Sequence, residues 1–182
     1  MDSIWRNDWK IPAFKSECWT VASGISKKID ILSPKIWDTE SCEHKYGQKE
    51  QTQRLITHEL VHVFHGQLTV SSDFNDVKNI DWFIEGLATY ASGQCDSNRI
   101  VEFIKAINSG TIPQAIEQFW TGKLKYALSG AMVMYIDERY GRIKLKELLK
   151  DNEKEKILQV PGVTEINLLS GWKEYMLSLP GH

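Results

Sequence analysis

The stretch His58-Glu59-Leu60-Val61-His62 sets the terms on which the rest of this 182-residue chain is read. On an α-helix, residues four apart lie one turn above each other. His58 and His62 therefore aim two imidazole nitrogens at one point, a spacing that suits a single metal ion. Glu59 lies on the neighbouring strip, too far round for an ideal third ligand but close enough to hold a water on that metal, which makes it the natural general base. Ile56, Leu60, Val61, Val63 and Phe64 fill the rest of the circumference. That pattern predicts a helix buried in a core with one polar strip facing a cleft, and Gly66 is its expected C-terminal cap. Two His and a Glu on such a helix can also be ordinary satisfied polar groups, so the reading turns on a further ligand from elsewhere.

Bulk properties narrow the field. With 42% apolar residues and seven Trp, the chain can build the core of one domain spanning residues 1–182. A formal charge of −2 leaves no electrostatic footprint for nucleic acid or an anionic membrane, and neither is expected as a partner. Cys18, Cys42 and Cys95 are odd in number and lack CxxC spacing, so they are read as free thiols with no disulfide framework and no thiolate zinc site. Met1 to Phe14 has no continuous apolar run of the signal-peptide kind, and no apolar stretch reaches 18 residues. The expectation is a cytoplasmic protein, although a secreted one with its leader removed would read the same way. Oligomeric state is not legible.

Along the chain, Glu17 to Leu32 reads as a hairpin with its turn at Ser23-Gly24 and alternation in Lys28-Ile29-Asp30-Ile31-Leu32. Ile36-Trp37 suggests a further short strand. Asp38 to Gly47 is polar and turn-like, and its His44 is expected to be solvated. Leu68 to Val77 reads as a loop across the mouth of the site, where substrate contacts are often carried. Asp81 to Tyr90 is expected to be helical, with Gly86 allowing close packing against the histidine helix. Ser97 should cap a helix through Ile107, and Thr111-Ile112-Pro113-Gln114 fits a capping box opening another. Leu124 to Tyr140 predicts a central buried helix stopped at Gly141, followed by a short helix over Ile143 to Lys150, a solvated charged connector over Asp151 to Lys156, and a last helix over Thr164 to Leu179 with an apolar stripe. The part before residue 48 is expected to carry the sheet and the remainder to be helical.

A tetrahedral catalytic zinc takes three protein ligands, leaving one to find. His65 projects on the same side but lies about 10 Å along the axis from His58, too far for both to reach one ion on a straight helix. His65 is instead expected at the helix end or as a hydrogen-bond donor behind the ligands. Glu85 stands in Trp82-Phe83-Ile84-Glu85-Gly86-Leu87-Ala88-Thr89-Tyr90, which resembles the W-x-x-E-G-x-A-x-Y segment of gluzincins, the M1-like peptidases of the MA group. The resemblance implies that Glu85 is the third zinc ligand. It continues through Tyr126-Ala127-Leu128-Ser129-Gly130-Ala131-Met132-Val133-Met134-Tyr135-Ile136 and Arg139-Tyr140-Gly141, similar to the Y-x-x-S/A-G-x-F-V-x-Y-L…Y-G helix of the same proteins. By that likeness Tyr126 is the candidate donor to the oxyanion, with His65 as its substitute, and Tyr90 and Tyr135 are core residues. The likeness spans about residues 50–142. No GxMEN-like exopeptidase signature is present, and fewer than sixty residues precede the histidine helix, so an abbreviated sheet is expected and aminopeptidase activity is not implied.

The resulting expectation is an α+β, zincin-like fold: a small N-terminal antiparallel sheet, then a mainly helical part, with the active-site helix between them. His58, His62 and Glu85 would hold Zn²⁺, Glu59 would be the general base, and a peptide or protein would be the substrate. An N-terminal strand would pair with an extended substrate. Two alternatives stand beside a general endopeptidase: a narrow-specificity regulatory protease with the same chemistry, and a non-catalytic zincin-like binding module. A thiol enzyme built on Cys95 has no supporting motif.

Overall fold

The computed structural model describes residues 1–7 and 15–179. After a short helix α1 (Asp2–Asn7), strands β1 (Ala22–Ile25) and β2 (Lys28–Ile31) pair antiparallel, with Ala22 opposite Ile31 and Ile25 opposite Lys28. The turn is therefore Ser26-Lys27, not Ser23-Gly24. Gly24 sits inside the strand because β1 crosses the histidine helix there, and a Cβ at Gly24 would overlap the backbone carbonyl of Glu59. What reads as a turn glycine is a contact glycine.

Ile36-Trp37 is helical rather than extended: a 3-10 turn at Pro34–Ile36 runs into α2 (Trp37–Glu40). Trp37 is buried there, and its Nε1 donates to the Leu32 carbonyl at 3.0 Å. Cys18 and Cys42 form a disulfide with their Cα atoms 5.5 Å apart, which corrects the reading of three free thiols. The pairing joins the segment before β1 to the loop after α2, residues whose proximity depends on the hairpin and not on local spacing. Cys95 remains a free thiol, and burial pushes its pKa up to about 11, opposite to what a nucleophile needs.

Helix α3 (Lys49–Leu68) carries the HExxH stretch, whose polar strip lines the cleft as expected, but the apolar side of the helix is not buried as expected. His58, Glu59, His62, His65 and Gly66 face inward, whereas Leu60 and Phe64 are 51% and 54% exposed. The polar strip is the buried face because the hairpin and α4 (Asp81–Ala91) both pack on it. Gly66 does not end the helix, which continues to Leu68. A Cβ at Gly66 would meet the Ser72 carbonyl, so it too marks a close approach.

The core lies on the other side of α4. Helix α5 (Ser97–Asn108) is capped by Asp96, one residue before the expected cap, whose carboxylate accepts from the Arg99 N–H. Thr111 to Gln114 opens no α-helix, and a 3-10 segment follows at Ile116–Trp120. Helix α6 (Lys125–Tyr140) is buried along most of its length and stops at Gly141, where φ is 88°. Its small residues meet α4: a Cβ at Gly86 would overlap the Ser129 carbonyl, so Gly86 serves the contact with α6 rather than the one with α3. Trp82, Phe83 and Leu87 of α4 and Leu128, Ala131 and Met132 of α6 belong to one apolar cluster.

The chain closes with α7 (Arg142–Leu148), α8 (Lys154–Gln159) and α9 (Glu165–Ser178), which buries Leu168, Trp172 and Met176. The charged run Asp151 to Lys156 is no solvated connector, since its second half opens α8 and its first half is tied down. Asn152 is buried and donates to the Asp76 carbonyl at 2.7 Å, the Lys78 N–H donates to the Asn152 carbonyl, and Lys154 bridges Glu117 and Glu165 at 3.0 and 3.1 Å. Those bonds tie the loop after α3 to the helical body. Among the described residues, no helix is long and apolar enough to cross a membrane.

Candidate metal centre

Two helices supply the ligand set. One turn of α3 stacks His58 under His62, and α4 crosses beside it with Glu85 facing the pair. The Nε2 atoms of the two imidazoles lie 3.1 Å apart, and Glu85 Oε2 lies 3.3 Å from His58 Nε2 and 3.6 Å from His62 Nε2. Bonds of about 2.0–2.1 Å in a tetrahedron require ligand atoms about 3.3 Å apart, so all three edges fit one small cation. Two imidazoles and a carboxylate are also a donor set suited to zinc. Among the described residues these three form the one group of His, Cys, Asp or Glu side chains able to hold a metal ion.

The electrostatics agree with that geometry. Burial alone would raise the Glu85 pKa, but the two imidazoles outweigh it and hold the carboxyl well below its ordinary range. Burial disfavours a charged His62, but the Glu85 carboxylate overrides it and raises the pKa. A nearly buried cluster that draws positive charge onto an imidazole is one that favours a bound cation.

Glu59 is 7% exposed, and burial raises its pKa against the opposing pull of His62 and His58. The Gly24 N–H lies toward its carboxylate and, like the imidazoles, opposes the rise. The hairpin thus touches Glu59 twice at one residue, through backbone packing and through the carboxylate. Tyr126, in the first turn of α6, borders the same cleft with its ring 6.2 Å from that of His58. Its hydroxyl has no hydrogen-bond partner among the described residues, and burial, with Glu85 and Glu59 nearby, raises its pKa strongly, so it is held as a donor.

Other candidates fall elsewhere. His65 is 1% exposed, wedged between Phe74 and Phe83, and burial lowers its pKa to about 4. It lies in the last turn of α3, as expected, where its carbonyl accepts from the Thr69 N–H, but it lines neither cavity at the centre, so it is no substitute for Tyr126. His44 is half-buried against Trp37 rather than solvated, and burial lowers its pKa. Tyr90 donates to Asp137 at 2.8 Å, and Tyr135 is buried. Gln94 escaped sequence reading: its Oε1 accepts from His58 Nδ1 at 3.1 Å, which orients the ring with Nε2 toward Glu85. Gly93, at φ 74°, reverses the chain after α4 and sets Gln94 there. A glycine just past the helix was the available signal.

Two cavities meet at the centre. One, of about 700 Å³, is lined by His58, His62 and Glu85 together with Phe74 and Asn75 of the loop after α3. The other, of about 480 Å³, adjoins it at His58, Glu59 and Tyr126 and extends toward Arg99 and Lys125. Residues of β1 line both, so the cleft continues past the centre in two directions.

A model of the peptidase MA superfamily matches residues 45–166, a span that holds His58, Glu59, His62, Glu85, Gln94 and Tyr126 but not the hairpin, Trp37 or His44. No curated protein and no solved structure matches the chain.

Proposed function

This chain belongs to the peptidase MA superfamily, and from that premise we propose that it is a zinc-dependent peptidase of the gluzincin type that cleaves within extended peptides. The observation that carries the reading is the convergence of His58 Nε2, His62 Nε2 and Glu85 Oε2 at 3.1, 3.3 and 3.6 Å, the edges of one coordination face. Zinc, when bound, polarises the scissile carbonyl and acidifies water.

The chain's own residues do the rest. Glu59, ionised, takes a proton from the attacking water and returns it to the leaving amine, and its raised pKa suits a group that must do both. The Gly24 N–H orients that carboxylate. Tyr126 donates its hydroxyl proton in a hydrogen bond to the developing oxyanion. Gln94 keeps His58 in one tautomer by accepting from Nδ1. Just before β1 the Val21 carbonyl accepts from the N–H of Leu32, the residue after β2, so by alternation the backbone groups of Ala22 and Gly24 point away from β2 toward the cleft. An extended substrate adds there as a further strand, held by the Ala22 backbone. Both cavities are open beside the centre, which favours endo cleavage over the trimming of one end. The Cys18–Cys42 disulfide, which staples the segment before β1, favours an oxidising compartment over the cytoplasm.

The test is hydrolysis of an unfolded protein by the zinc-loaded chain, with Glu59→Gln as its control. Cleavage is expected from the wild type, with loss in the variant while zinc is retained. A wild type that binds zinc and cleaves nothing would favour the non-catalytic binding module.

A further inference from the structure

The cavity beside His58 contains two cations that the catalytic reading does not use. Arg99 extends from the first turn of α5 across the ring of Tyr126, with its guanidinium carbon 5.6 Å from the ring centroid. Its Nη1 is buried and has no hydrogen-bond partner among the described residues. Asp96, three residues before Arg99, is already engaged: it gives one oxygen to the Arg99 N–H and the other to Arg54 at 3.2 Å. Lys125 opens α6 with its Nζ 4.4 Å from the Trp120 centroid and 5.2 Å from those of Trp19 and Tyr126. An aromatic cage holds a cation in position without neutralising it.

Elsewhere this chain neutralises its half-buried cations. Lys154 has Glu117 and Glu165, and Arg54 has Glu50 and Asp96. Arg99 and Lys125 have no ion-pair partner among the described residues. Three carboxylates line the same cavity, the exposed Glu43 and Glu102 and the buried Glu59, but none forms an ion pair with either cation. A buried guanidinium N–H without an acceptor is costly to keep, so the arrangement asks for an acceptor from outside the chain.

We propose that this cavity is a carboxylate-binding subsite, in which Arg99 and Lys125 together select a peptide carrying a carboxylate close to the bond to be cut. The inference rests on the peptidase reading for the identity of the ligand. Tyr126 joins the two functions, since its ring carries the cations on one side and its hydroxyl borders the candidate centre on the other. An extended chain advances about 3.3 Å per residue, so a group in this cavity lies within a few residues of the scissile bond. The carboxylate can belong to an Asp or Glu side chain or to the substrate's own C-terminus. Arg suits either through its planar fork, and Lys adds a point charge.

The experiment uses the full chain, zinc-loaded, as Glu59→Gln so that substrates bind without turnover. Binding is read from the fluorescence of Trp19 and Trp120 against matched octapeptides carrying Glu or Gln at each position in turn, each with a free or an amidated C-terminus. The expected result is about tenfold or greater preference for the charged peptide at one position, with the preference collapsing in Arg99→Gln and in Lys125→Gln. Loss of the preference on amidation alone would identify the terminal carboxylate, and loss on Glu-to-Gln exchange alone would identify the side chain. Equal affinity for charged and neutral peptides, or a preference that survives both substitutions, overturns the subsite. Parallel cleavage assays on the wild type separate the two failures. Hydrolysis without acidic preference removes the subsite and leaves the peptidase, whereas Arg99-dependent binding without any hydrolysis leaves the subsite and removes the peptidase.

Discussion

Glu85 and Asp137 are both carboxylates turned inward from the packed helices α4 and α6, and their neighbours treat them in opposite ways. Asp137 is fully answered: Tyr90 donates to it at 2.8 Å, and Arg142 Nε reaches both its oxygens at 2.8 and 3.0 Å. Glu85 faces two imidazoles at 3.3 and 3.6 Å, beside a second carboxylate, Glu59, and an unpaired Tyr126 hydroxyl. The first cluster closes upon itself and fastens α4 and the α6–α7 junction. The second has donors and acceptors that converge on a point none of them occupies. Satisfied polarity builds the fold, and convergent polarity of the second kind is what the proposed chemistry would draw on.

That contrast breaks if removing a group from the convergent cluster costs stability rather than activity. The largest effect is expected at Glu59→Gln, which should lower kcat about 10²–10⁴-fold with zinc content unchanged, read by single-turnover hydrolysis and metal analysis. Because burial raises the Glu59 pKa and the ionised form is the base, the acidic limb of the wild-type rate profile should lie above the ordinary carboxylate value of 4.5. Gln94→Leu should come next, weakening zinc about 10–100-fold by freeing the His58 ring, as read by competition with a chromophoric chelator.

The satisfied cluster should answer in stability alone. Asp137→Asn should cost about 1–2 kcal/mol in urea unfolding of the metal-free chain, tempered by the exposure of Arg142, and should leave zinc affinity untouched. The sign follows from the lowered pKa of Asp137, caused first by its hydrogen bond with Arg142. Its stabilisation is complete above the unfolded-state value near 3.8 and disappears as pH falls through the lower folded value, so the wild-type advantage over the variant should vanish in acid. The smallest effect is expected at Phe64→Ser on the exposed side of α3, within about 0.5 kcal/mol of wild type. A loss of several kcal/mol there would restore the buried-helix reading.

Local chemistry was legible in the sequence and three-dimensional crossing was not. The i, i+4 spacing of His58 and His62 fixes a shared face whatever surrounds it, and the segment around Glu85 signals itself by its resemblance to gluzincins. The helix over Asp81–Ala91 follows from its apolar face, and the one over Lys125–Tyr140 from its being apolar nearly all round with Gly141 at the end. Glycine was misread whenever its purpose was contact. Gly24 looked like a turn, Gly66 like a cap, and Gly86 was assigned to the wrong neighbour, because a missing Cβ gives no sign of which backbone approaches it. The exposure of Leu60 and Phe64 was missed for a related reason: the hairpin packs on the polar strip of α3, an outcome fixed by topology rather than composition. The Cys18–Cys42 pair and the Asn152 clasp join residues 24 and 76 apart in sequence, beyond the reach of local patterns.

The central claim, that His58, His62 and Glu85 hold one zinc ion, is tested most directly by X-ray absorption at the zinc edge on the zinc-loaded chain together with elemental analysis. The account predicts one zinc per chain, coordinated by two imidazoles and one carboxylate with an exchangeable fourth position, and loss of that ion in Glu85→Ala. A spectrum unchanged by Glu85→Ala, sulfur in the coordination sphere, or a chain that binds no zinc would contradict it.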